Sequence, residues 1–292
     1  MSAVLSDQAA AKVNLTLRVL GKRADGYHDL ESLVVFARQV GDQVALQPAE
    51  PLGLCVDGPT AAAAGDLDDN LVLRAAKALG GRIVGLRLGR FTLTKRIPVA
   101  AGLGGGSADA AAALRLLAQF NGLAREDARL MDAARATGAD VPVCLDPRPR
   151  LMRGIGEILS PPLVLPALPG LLVNPGVPVP TKDVFARLGL ASGERRGATS
   201  EIDPARLKDR DALIAYLSSQ PNDLEAPAVA LQPVIAAVLA AIAQQDGCLI
   251  ARMSGSGATC FGLFASDAAA AAAAKGLRAA CPGWWVAPTP FG

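Results

Sequence analysis

Four glycines crowd five positions, Gly102, Gly104, Gly105 and Gly106, and Ser107 follows at once. Pro98, Val99, Ala100 and Ala101 lead in, Leu103 sits inside, and Ala108 opens a run of strong helix formers. Glycine tolerates positive φ and lets a ligand approach the bare backbone. Ser107 or Asp109 is placed to cap the helix that follows. A helix start carries unpaired N–H groups and a partial positive charge, which suit a phosphate. The stretch therefore reads as a cradle for nucleotide phosphates. It is not a Walker loop, because no lysine separates Gly106 from Ser107. It is not a dinucleotide fingerprint either, because Ser107 stands where the third glycine belongs.

Three other places carry side chains suited to chemistry. Lys12 and Asn14 lie two residues apart on a segment, Lys12 to Val19, that alternates polar and apolar residues. That pattern predicts a half-buried strand with Lys12, Asn14, Thr16 and Arg18 on one face, which in most strands is solvated. Tyr27 and His28 adjoin in the polar turn from Gly21 to Asp29, and His28 is the only histidine. With no second histidine or cysteine cluster beside it, hydrogen bonding or stacking on a planar ligand suits it better than metal binding. Asp140 sits among small and apolar neighbours in GADVPV, where it could equally satisfy a turn.

The elements that must hold these residues follow from periodicity and punctuation. Strands are expected at 33–36 and 43–47, with Gly41-Asp42 as the turn between them. A helix is expected from Asp66 to Gly81, capped by Asp68 or Asp69. A strand over 86–95 with a bulge at Gly89-Arg90 would deliver Lys95 and Arg96 to the glycine loop. Helices follow at 107–120 and 125–137, the first stopped by Asn121-Gly122 and the second by Gly138. Nine prolines between 146 and 180 mark a crossover near 150, giving domains 1–150 and 151–292. Residues 191–201 read as a mobile polar loop. Helices are expected at 211–218, 225–244 and 267–280. RMSGSGA, from Arg252 to Ala258, reads as a second glycine-serine turn before a strand over 259–264, and Trp284 to Val286 as a last strand.

Composition excludes several classes. The 29 basic and 27 acidic residues of this 292-residue chain nearly cancel, so no broad basic face awaits nucleic acid. Five scattered cysteines, never in C-x-x-C spacing, argue against a disulfide framework or structural zinc and for a reducing, cytoplasmic setting. No signal peptide is read at the N-terminus. Ala226 to Ala243 mimics a membrane span, but Gln232, Pro233 and its many alanines favour a soluble helix.

AKVNLTLRVLGKRADGYHDLESL, PVAAGLGGGSADA, GADVPV and ARMSGSGATCFGLF together resemble the GHMP kinases, the small-molecule kinases of galactose, homoserine, mevalonate and phosphomevalonate. The resemblance covers about Ala10 to Phe264. Its Lys-x-Asn strand and Asp-Gly-Tyr-His turn narrow it to the branch that phosphorylates a cytidine-diphosphate sugar alcohol in the non-mevalonate isoprenoid pathway. One departure is Ala108-Asp109, where relatives often carry Ser-Asn.

The resemblance implies an α+β chain of two domains. They are an N-terminal mixed α/β nucleotide domain, onto which the C-terminal segment could pack back, and a C-terminal ferredoxin-like domain, with the active site in the cleft between them. It implies ATP and Mg²⁺, with Pro98 to Ala108 wrapping the phosphates, Asn70 and Lys95 lining the adenosine side, and Ser107 near the metal. Lys12 and Asp140 fall on the catalytic pair, Asn14 on a polar contact near the transferred phosphate, and Tyr27, His28 and Phe185 on the cytosine contacts. The expected partner is this small molecule alone, bound by a monomer or weak homodimer, with no nucleic acid or membrane. Another acceptor of the same family, such as homoserine or mevalonate, and a non-catalytic nucleotide-binding regulator are the competing readings.

Overall fold

The computed structural model describes residues 4–199 and 203–292. Its chain forms β1 (Leu5–Asn14), β2 (Arg18–Lys22), β3 (His28–Gln47), β4 (Gly53–Asp57), α1 (Leu71–Gly80), β5 (Arg90–Thr94), α2 (Gly105–Asn121), α3 (Ala128–Thr137) and α4 (Val141–Leu145). Then come β6 (Arg150–Gly154), β7 (Ile158–Leu159), β8 (Leu168–Asn174), α5 (Thr181–Ala186), α6 (Arg210–Ser219), α7 (Glu225–Leu231), α8 (Val234–Ala243), β9 (Cys248–Met253), β10 (Cys260–Phe264), α9 (Asp267–Ala280) and β11 (Trp285–Phe291).

Two compact units divide the chain. The first holds the chain up to Lys12, Val40–Val99 and Gly104–Pro147; the second holds Val13–Gln39, Ala100–Leu103 and Arg148–Gly292. The packing changes hands between Pro147 and Arg148, yet residues 13–39 and 100–103 also sort with the C-terminal chain. Strand pairing draws on partners wherever they lie in sequence, so both units are discontinuous.

In the first unit, β5 pairs antiparallel with the second half of β3, Gln43 opposite Thr94 through Gln47 opposite Arg90. It pairs parallel with β4 on its other edge. A parallel pair needs a long crossover, and α1 lies within it. α1 starts at Asn70, whose side chain accepts from the Val72 N–H at 2.9 Å, and not at Asp68 or Asp69. α2 packs against α1 and α4, and its Ala108, Ala110 to Ala113, Leu114 and Leu117 are all buried. Small side chains let these helices approach closely. α2 ends at Gly122 in the left-handed conformation (φ 66°), the glycine C-cap expected from Asn121-Gly122.

In the second unit, β11-β8-β10-β9 form an antiparallel sheet, with α7 and α8 between β8 and β9 and α9 between β10 and β11. Counted from β8, the strand order is 4-1-3-2 in a β-α-β-β-α-β chain, the ferredoxin-like arrangement. Leu171, Val173, Val238, Ile242, Cys260, Phe264, Ala273 and Leu277 share its core. Pro233 divides the expected helix at 225–244 into α7 and α8, as a ring without an N–H must. The first half of β3 pairs with β2 and β6 in the same unit. Of the polar loop expected at 191–201, Ser200 and Glu201 lie outside the described residues. The rest is tied to β2: Gly193 N–H donates to the Lys22 carbonyl, Lys22 N–H to Glu194, and Arg196 N–H to Leu20.

Three expectations are corrected. Residues 28–47 are one strand without a turn at Gly41-Asp42. Gly41 is needed because any Cβ there would run into the Ala9 carbonyl, and Asp42 is fully buried. Lys12 to Val19 is not one strand, since β1 ends at Asn14 and β2 begins at Arg18. Nor is its polar face solvated, because Lys12, Asn14 and Thr16 are all buried. Gly89 (φ 84°) precedes β5 and makes no bulge within it.

Candidate active site

The glycine loop enters α2 through Gly104, which takes the N-cap position in the left-handed conformation (φ 61°). Neither Ser107 nor Asp109 caps this helix. Ser107 lies within its first turn, half-buried, and Asp109 is turned into the interior. The first-turn N–H groups of α2 thus have no side-chain cap and suit an anion.

Lys12 runs beneath Gly104. A Cβ on Gly104 would lie 3.1 Å from Lys12 Cε, so the missing side chain makes room for the lysine stem. Lys12 Nζ pairs with Asp140 Oδ2 at 3.3 Å. Asp140 takes the N-cap position of α4, but its carboxylate caps no N–H there. It is 36% exposed, whereas the Lys12 side chain is 4% exposed. The first unit therefore brings together an acceptor-type oxygen open to solvent, a fixed cation and an anion-binding helix start. Phosphoryl transfer to a hydroxyl needs these parts.

Asn70 and Lys95 belong to the same unit, and each side chain has a partner within the protein. The Asn70 amide oxygen caps α1. Lys95 is buried and its ammonium donates to Asp42 Oδ2 and to Asp109 Oδ2, the latter at 2.8 Å. Burial opposes the charge on Lys95, but Asp109 and Asp42 outweigh it and raise its pKa. Burial also pushes Asp109 up to about 7 against the pull of Lys95, and Asp42 adds to the rise. Asp42 and Asp109 escaped the sequence reading. Gly41-Asp42 carries the signature of a turn, and Asp109 follows Ser107 where a cap is expected.

In the second unit, Asn14 N–H donates to Ser254 Oγ at 3.1 Å, and its amide donates to Ser32 Oγ at 2.7 Å. Ser254 Oγ in turn donates to the Gly102 carbonyl at 2.9 Å, and Thr259 N–H to the Ala101 carbonyl at 3.1 Å. A Cβ at Gly102 (φ 75°) would collide with the Ser254 carbonyl. The SGSG turn is thus the bed on which residues 100–103 lie, a contact between segments about 150 positions apart that no local pattern reveals. His28 begins β3, and its ring stacks on Phe185 of α5 with centroids 4.6 Å apart at 29°. Burial, then Lys22, lowers the His28 pKa, favouring neutral imidazole. Tyr27 is 58% exposed beside it. Phe185, expected with His28 on the cytosine side, is therefore in ring contact with it.

Among the described residues no three His, Cys, Asp or Glu side chains converge to hold a metal ion. Ser107 is the one oxygen ligand expected for Mg²⁺. Magnesium commonly keeps several waters and takes substrate phosphate oxygens, so this sparse set fits a nucleotide-borne ion.

Sequence comparison places the chain in a known class. The family model for the GHMP kinases N terminal domain matches residues 70–146, and that for the GHMP kinases C terminal matches residues 202–283. The chain belongs to the GHMP kinase family and is an ATP-dependent small-molecule kinase. Among curated relatives, a 4-diphosphocytidyl-2-C-methyl-D-erythritol kinase of Methylorubrum extorquens is 58% identical over 288 residues, 98% of each chain. The protein of the same name from Xanthobacter autotrophicus is 59% identical over 285 residues, 97% of each. A crystal structure of 4-(cytidine 5'-diphospho)-2C-methyl-D-erythritol kinase superposes with a TM-score of 0.75 at 32% identity, covering 99% of both chains. A homoserine kinase from Cytophaga hutchinsonii shares the fold, with a TM-score of 0.69 at 19% identity over 99% of this chain and 96% of that one.

Proposed function

We propose that the chain transfers the γ-phosphoryl group of ATP to the 2-hydroxyl of 4-diphosphocytidyl-2-C-methyl-D-erythritol, a step of the non-mevalonate isoprenoid route. The observation that carries the catalytic assignment is the Lys12–Asp140 pair at 3.3 Å, with Lys12 lying against Gly104 at the start of α2. The near-full-length relatives of that name support the acceptor. The regulator reading falls with the kinase assignment.

Asp140 accepts the hydroxyl proton. A carboxylate is a far weaker base than an alkoxide, so the proton moves late, once the hydroxyl oxygen is bonding to phosphorus. Lys12 holds the Asp140 carboxylate in place and sets its positive charge where the transferred group becomes more negative. The N–H groups from Gly104 to Ser107 take the phosphate oxygens, with Pro98 to Leu103 and Ala108 completing the loop and Asn70 near the adenosine. Ser107 would help hold Mg²⁺, which when bound would supply further charge neutralisation. Neutral His28 offers one donor and one acceptor to the cytosine edge, Tyr27 and Phe185 offer ring faces, and Asn14 reaches the acceptor end. The reaction takes place in the cytoplasm, on a monomer or weak homodimer.

The test is steady-state ADP release with Mg²⁺-ATP and the cytidyl acceptor, with homoserine and mevalonate as controls. Turnover confined to the cytidyl acceptor is expected. Turnover with a control instead would keep the catalytic pair and discard the cytosine contacts.

A further inference from the structure

We propose that Asp42, Lys95 and Asp109 form a positioning triad that fixes the two ends of the glycine loop, and that Lys95 acts on ATP through this triad without touching it. The proposal rests on the kinase reading above and assigns the loop its internal support.

Three charged side chains, from β3, α2 and the residue that follows β5, meet here, each less than 7% exposed. Lys95 Nζ donates to both carboxylates. The other oxygen of Asp42 accepts from the N–H groups of Arg96, at 2.5 Å, and Ile97, at 3.0 Å, the residues that lead into Pro98. Asp109 lies one turn into α2, on the chain leaving the loop. One ammonium therefore ties the segment entering the loop to the segment leaving it, and Asp42 ties both to β3. Packing repeats the link: a Cβ on Gly105 would lie 2.9 Å from Ile97 Cδ1 and 3.6 Å from Lys95 Nζ.

Fold stability is a poor explanation for this cluster. Buried ion pairs are often no better than apolar residues of equal volume. Asp109 Oδ1 is moreover buried without a partner, an unfavourable arrangement that well-packed apolar residues would avoid. What a charged triad adds is direction, since Lys95 Nζ must sit where both carboxylates reach it.

The experiment measures binding of a non-hydrolysable ATP analogue by calorimetry without acceptor, then ATP and acceptor kinetics, for Lys95→Met, Asp109→Ala and the double variant. Alanine at 109 extends an alanine-rich helix and leaves the Lys95–Asp42 pair intact, so this variant keeps the test open should Lys95→Met fail to fold. The triad predicts that each single change raises the analogue Kd and the ATP KM about tenfold, with kcat and acceptor KM within threefold. The double variant should be no worse than the poorer single, because coupled residues are non-additive. Asp109→Asn, whose amide oxygen still accepts from Lys95, should stay within threefold of wild type. An unchanged analogue Kd in Asp109→Ala overturns the proposal, and if Lys95→Met alone loses affinity, the lysine contacts ATP directly. Because the analogue is bound without acceptor, failure of the cytidyl acceptor in the turnover assay leaves this result readable.

Discussion

Replacing Asp140 by asparagine keeps the side chain's size and removes its capacity to take a proton. Its salt bridge to Lys12 is partly exposed, 36% on the aspartate side, so solvent screens it. Such pairs contribute about 0–1 kcal/mol to stability. Asp140 caps no helix N–H that the change would orphan. The melting temperature of Asp140→Asn should therefore fall by less than about 4 °C, taking about 2–4 °C per kcal/mol for domains of this size. The loss in catalysis should be much larger. A positioned general base contributes roughly 10²- to 10⁴-fold, or about 3–5 kcal/mol of barrier. ADP release at saturating substrates, with thermal melting and ATP affinity measured on the same preparation, separates the two effects. The expected result is kcat down at least a hundredfold with ATP affinity within threefold. A kcat within tenfold of wild type would refute Asp140 as base. A fall of more than about 10 °C in melting temperature would show that the screened-pair argument fails.

Three further outcomes are expected. Gly104→Ala places a Cβ 3.1 Å from Lys12 Cε at a φ of 61°. The backbone conformation costs about 1–2 kcal/mol and the lysine must shift from Asp140, so kcat should fall at least tenfold, and unchanged kinetics would show that the stem has room. His28 has a lowered pKa from burial and Lys22, so it is neutral at pH 7; acceptor KM should be flat above pH 6.5 and rise only at lower pH, a rise that His28→Gln should abolish. Asp127 caps α3 and bonds Arg129, which lowers its pKa to about 2. A depressed acid pKa contributes stability above the unfolded value of about 3.9, lost as pH falls toward 2. The stability gap between wild type and Asp127→Ala should therefore be open at pH 7 and close between pH 4 and 2 in denaturant titrations.

Much of the site was legible because its signals are local. A dense glycine run before an alanine helix and Gly122 after Asn121 each depend on residues within a few positions. Gly41-Asp42 misled for the same reason. Local chemistry favours a turn there, but β5 on one edge and the Lys95 ammonium hold the segment as part of a 20-residue strand. Tertiary contact overrode propensity.

The sequence by itself determined the loop and the helix it starts, and singled out Lys12 and Asp140 as the proposed catalytic pair, since these follow from residue types at short spacing and from motif resemblance. Only the tertiary structure decided which polar residues are buried. Alternation places Lys12, Asn14 and Thr16 on one face but is silent on whether water or protein covers it. Protein covers it, which makes Lys12 a fixed cation. The partners of Lys95, the bed beneath Gly102 and the contact of His28 with Phe185 are likewise joined across 14 to 157 positions. Such contacts form when the packed chain removes side chains from water and obliges each buried charge and hydrogen-bonding group to find a partner.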